Sequence, residues 1–111
     1  MNNVAWAAQC RQAQGQATMM AQMSLPHIGQ LMLSVTDKFC ANQSEVAMGT
    51  LTEIMQVLSS ADSIARRCPQ KAAEILQRAA EFCECTVPRT SIDALEISGQ
   101  LENFRTFLNR C

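Results

Sequence analysis

Apolar residues return at three- and four-residue spacing along almost the whole chain, in five stretches separated by turn residues. Over residues 4–23 the stripe is Trp6, Cys10, Ala13, Ala17 and Met20, and over about 26–41 it is Ile28, Leu31/Met32, Val35 and Phe39. The third stretch carries Leu51, Ile54, Leu58, Ala61, Ala65 and Cys68, and the fourth Ala72, Ile75/Leu76, Ala79 and Phe82/Cys83. The fifth carries Ala94, Ile97, Leu101, Phe104, Leu108 and Cys111. Each is one face of a helix of 3.6 residues per turn, and no stretch alternates as a strand does. The pattern predicts an all-α fold, a single antiparallel bundle of about five helices spanning residues 1–111, joined by short loops. Trp6, Leu51, Ile54, Leu58, Leu101, Phe104 and Leu108 are the expected core.

The breaks have their own chemistry. Ser24-Leu25-Pro26 ends the first helix and places Pro26 in the first turn of the next, where its missing N–H costs nothing. Ala41-Asn42-Gln43-Ser44 is turn material. The third helix has two candidate starts: Ser44, or Thr50 with Glu53 completing a Thr-x-x-Glu capping box behind Gly49. Pro69 separates the third helix from the fourth, which is expected to begin there. Pro88 holds the end of Cys83-Glu84-Cys85-Thr86-Val87-Pro88 extended. Thr90 with Asp93 reads as a cap for the last helix.

Six cysteines in 111 residues, Cys10, Cys40, Cys68, Cys83, Cys85 and Cys111, form an even and dense set. If each connection reverses direction, Cys10, Cys40, Cys83 and Cys85 gather at one end of the bundle and Cys68 and Cys111 at the other. Grouping in even numbers at helix ends points to a disulfide framework and an oxidising compartment, secreted or periplasmic. Cys68 has one reachable partner, Cys111, because the other four are a helix length away, roughly 20–30 Å at about 1.5 Å per residue. A Cys83–Cys85 bond closes a tight ring, so these two are expected to reach Cys10 and Cys40, in either order. The competing readings are apolar filler in a cytosolic bundle, a four-thiolate zinc site, and a Cu(I) site near Met19, Met20, Met23 and His27. Zinc is disfavoured because structural sites pair cysteines two to four residues apart. The Met residues fit core filling better than copper ligation. The Asn42-Gln43-Ser44 sequon adds little.

Composition narrows the function further. Nine basic against ten acidic residues give a net charge of −1, and only 17% of residues are charged. Scattered basic residues argue against a nucleic-acid partner, and no apolar run reaches the ~18 residues of a membrane span. The N-terminus lacks a signal peptide's basic and apolar regions, which fits either a cytosolic protein, its cysteines reduced or metal-bound, or a mature secreted domain bearing an added start Met1; the cysteines favour the second. His27 is the only His, and it falls in a helix's first turn, so no nucleophile–base set assembles around it. Glu45, Glu53, Glu74, Glu81, Glu96 and Glu102 fall on polar faces. Arg66-Arg67 closes the third helix, where cations suit the macrodipole. No cofactor is expected. The leading expectation is a non-catalytic protein that acts on a protein partner through its surface, as an effector, a toxin or its immunity protein, or a cytokine-like signal. Few charges with abundant Ala, Gln, Ser and Met also suit self-association. The alternative is a carrier of an apolar ligand such as a sterol or fatty acid in the bundle interior. The Ala- and Cys-rich seams of the first and third helices argue against it, since they favour close approach over a cavity.

Overall fold

A computed structural model describes residues 3–111; Met1, read above as an added start residue, lies outside them with Asn2. The described residues form five α-helices and no strand: α1 (Asn3–Met23), α2 (Pro26–Asn42), α3 (Ala47–Arg67), α4 (Ala72–Cys83) and α5 (Ser91–Asn109). A short 3-10 turn, Pro69–Lys71, precedes α4. The fourth helix therefore begins three residues later than the position of Pro69 suggests.

Local chemistry sets most boundaries. Thr90 caps α5 by accepting the Asp93 N–H at 3.1 Å. Pro26 opens α2. Gln43 ends it in the left-handed region at φ 46°. The start of α3 obeys neither expected cap. Ser44 donates its hydroxyl to the Pro88 carbonyl at 2.5 Å, and Thr50 is buried inside the helix. The demand of a buried loop carbonyl for a donor thus outweighs capping at Ser44.

Three contacts fix the register of α3 and α5. Ser44 meets Pro88, Glu53 accepts the Ser98 hydroxyl at 2.9 Å, and Cys68 meets Cys111. The offset stays near 44 residues throughout, so the two helices run parallel, as the reversing connections predict. The α1–α2 turn lies at the upper end beside α3, where Asp62 accepts the Leu25 N–H at 2.7 Å and the Arg66 guanidinium at 3.1 Å.

One continuous core joins all five helices. Ile54, Leu58 and Leu101 are completely enclosed, and Trp6, Leu51, Phe104 and Leu108 are buried as expected. Phe82 and Phe104 pack with ring centres 5.1 Å apart, and Arg78 lies 4.0 Å above the Phe107 ring, joining α4 to α5. The helix α1 sits at the edge, with α2 as its main neighbour. Gly29 makes that approach possible: a Cβ there would lie 2.9 Å from the Ala21 carbonyl oxygen.

Candidate functional site

The cysteines occupy three places. Cys10 of α1 and Cys40 of α2 face each other at the lower end, 2.6 Å apart, longer than the ~2.05 Å of a disulfide. The Trp6 indole N–H donates to the Cys40 carbonyl at 2.9 Å and closes this corner. Cys83 and Cys85 lie near Lys38, whose ammonium donates to their carbonyls at 2.6 and 2.8 Å. At the upper end the Cys68 thiol donates to the Cys111 carbonyl at 3.2 Å. All six carry free thiols in this structure.

The division into four lower and two upper cysteines matches the sequence expectation, but the lower partners differ. Cys83 and Cys85 were expected to reach Cys10 and Cys40. Residues 38 and 40 project to nearly opposite sides of a helix, at about 100° per residue. Cys40 therefore turns toward α1, and Lys38 turns toward the end of α4. Since α2 separates the two pairs, the four thiols do not converge as a zinc cage needs. Among the described residues no three His, Cys, Asp or Glu side chains come together as metal ligands. Burial pushes the Cys83 thiol up to about 12, with Cys85 adding to the rise and Lys38 opposing it. Burial, then the neighbouring Cys10, pushes Cys40 to about 12 as well. These thiols resist ionisation and are poor nucleophiles.

The other candidate residues are structurally employed or exposed. His27 is exposed at the start of α2. Asn42 donates to the Lys38 carbonyl at 2.7 Å and accepts from Arg89. Glu74 pairs with Lys71 and Arg78, and Glu102 with Arg105.

An apolar depression lies where the sequence predicts close helix contact. Between α1 and α3 a half-open cleft of about 370 Å³ is walled by Ala13 and Met20 on one side and Met48, Leu51 and Met55 on the other. Thr36 of α2 forms its floor, and its hydroxyl, which donates to the Met32 carbonyl, lies 3.9 Å from the Met55 sulfur. Gln16, Thr52, Gln56 and Ser59 complete the rim, so no charged side chain lines the cleft. The Ala and Cys seam of α1 packs on α2, not on α3, and this leaves the gap. Met20 sits on the stripe of α1, and Met48 and Met55 lie seven residues apart on α3, a spacing that reads equally well as core. Only the position of α1 shows that they face a cleft. The chain matches no family model, no curated protein and no solved structure.

Proposed function

We propose that this chain is a secreted or periplasmic, non-catalytic binding module that docks an apolar segment of a partner protein in the cleft between α1 and α3. The observation that carries this reading is the charge-free wall of Met20, Met48, Met55 and Leu51 on an open surface. Methionine side chains are flexible and polarizable and adapt to varied apolar partners. An effector, a toxin or its immunity protein, and a cytokine-like signal all work through such a contact. Peptides selected from a random display library against the whole chain test it. They should lose about tenfold in affinity on Met55→Glu and on Thr52→Arg, two partly or fully exposed positions on the rim and wall. Selected peptides indifferent to both variants would remove the cleft as the contact.

Disulfides belong to the same reading. The closeness of Cys10 to Cys40 and of Cys68 to Cys111 supports two staples and leaves Cys83 and Cys85 as each other's nearest remaining neighbours. The Cys68–Cys111 bond would close a loop of about 43 residues and contribute about 3–4 kcal/mol by the chain-entropy model. Peptide mapping of unreduced protein should recover both staples; a Cys10–Cys83 or Cys40–Cys85 link would refute this pairing.

A second reading has one observation in its favour. The cleft volume of about 370 Å³ falls in the roughly 300–1,000 Å³ range of small-molecule sites. An apolar ligand would lie in the cleft and not in the bundle interior, which Ile54, Leu58 and Leu101 fill. Native mass spectrometry of the purified protein, with a bound lipid displaced by Met55→Glu, would favour it.

A further inference from the structure

Ser59 lines the apolar cleft and also a second depression on the other flank of α3. This second depression, about 350 Å³, lies between α3 and α5; Ile64 and Leu108 give it an apolar part, but unlike the cleft it also carries two arginines. Ser59, Ser63 and Arg67 line it from successive turns of α3, and Arg105 and Asn109 face them from α5. No carboxylate is among its lining residues. Arg66 donates to Asp62 and to the Met23 carbonyl. Arg105 shares its charge with Glu102 at 3.3 Å. Arg67 has no hydrogen bond or ion pair among the described residues, although it lines the depression. A guanidinium presents five donors in a planar fork that suits a carboxylate.

From this continuity we propose that the two depressions form one composite groove, crossing α3 over Ser59, for a protein segment with apolar side chains at one end and a carboxylate at the other. The inference rests on the reading above that the cleft takes a protein segment, and it adds the charge and polarity that segment must have. Its apolar residues enter between Met20 and Met55, and its Asp or Glu meets Arg67 and Arg105. Met55 and Arg67 are twelve residues apart on α3, roughly 18 Å along the axis, a span several residues of partner chain cover. The small Ser59 side chain leaves room for a backbone to pass, and the exposed hydroxyls of Ser59 and Ser60 offer it hydrogen bonds. That crossing is polar and open to water, which suits polypeptide better than a continuous hydrocarbon tail.

The test pans a random-peptide display library on the whole chain and on an Arg67→Glu/Arg105→Glu double variant. Peptides from the unaltered protein should combine clustered apolar residues with an Asp or Glu at a fixed distance. They should bind the double variant about tenfold or more weakly at low salt, with the gap closing as salt screens the pair. Panning on the double variant should enrich Lys or Arg at the same distance. Both arginines are partly or fully exposed, and a far-UV spectrum matching the parent shows that the variant folds. Peptides that need Met55 but show no acidic preference would overturn the composite groove and leave the cleft reading standing. Peptides indifferent to Met55→Glu would overturn both. Oleate retained in native mass spectra and lost on Arg67→Glu would overturn the proposal by assigning the groove to a fatty acid.

Discussion

Lys38 illustrates how single residues carry this fold. Its ammonium has no carboxylate partner among the described residues, and two backbone carbonyls at the end of α4 hold it instead. It thereby ties α2 to the Cys83–Cys85 segment. Burial holds both Cys83 and Cys40 neutral, up to about 12 against an ordinary value of 9.0. The sign of the resulting pH dependence follows. Below about pH 9 the thiols are protonated in folded and unfolded chains alike, so the preference for the neutral form is fully felt. Between about 9 and 12 the unfolded chain releases protons that the folded chain retains, and stability falls. Reduced protein should therefore lose melting temperature across that window, and protein with the Cys10–Cys40 disulfide, in which Cys40 no longer titrates, should lose less. Equal losses in the two samples would show that Cys40 is not held neutral by the fold.

All five elements contribute to one core, but α1 leans mainly on a single neighbour, α2. Close approach of α1 to α2 depends on Gly29, where an added Cβ meets the backbone of Ala21. Gly29→Ala gains roughly 0.5–1 kcal/mol in helix propensity but forces overpacking at about 1–3 kcal/mol. A net loss of about 1–2 kcal/mol is expected in urea denaturation. Gly15→Ala, in open space on the same hairpin, should instead raise stability by about 0.5–1 kcal/mol. If both variants moved the midpoint alike, the α1–α2 contact would be misplaced. Five helices, the cap at Thr90 and the inward faces of α3 and α5 were legible in the sequence, because periodicity reports which face is buried. Periodicity does not report which neighbour buries it. The stripe Trp6, Cys10 and Ala17 therefore gave no sign that α1 packs mainly on α2, nor did Met48 and Met55 betray a cleft. The partners of Cys83 and Cys85 were hidden for a similar reason: knowing the end of the bundle does not fix the side of α2.

At the scale of the whole molecule the chain forms a slab of 46 × 30 × 16 Å, with α1 along one edge and α3 near the middle. Leu58 on α3 is completely enclosed, and Leu58→Ala should cost about 2–5 kcal/mol. A change within about half a kcal/mol would mean the site collapses around the lost atoms or that α3 buries another face. The parallel pairing of α3 with α5 also has an entropic side. Parallel neighbours cannot be joined by a tight turn, so α5 reaches α3 only after α4 has carried the chain back down the molecule. Closing a segment of about 44 residues costs on the order of 3 kcal/mol in chain entropy, while α1 meets α2 across the turn at Ser24 and Leu25 with almost none. Joining α1 to α2 therefore carries little closure entropy, and the larger share falls on bringing α5 beside α3.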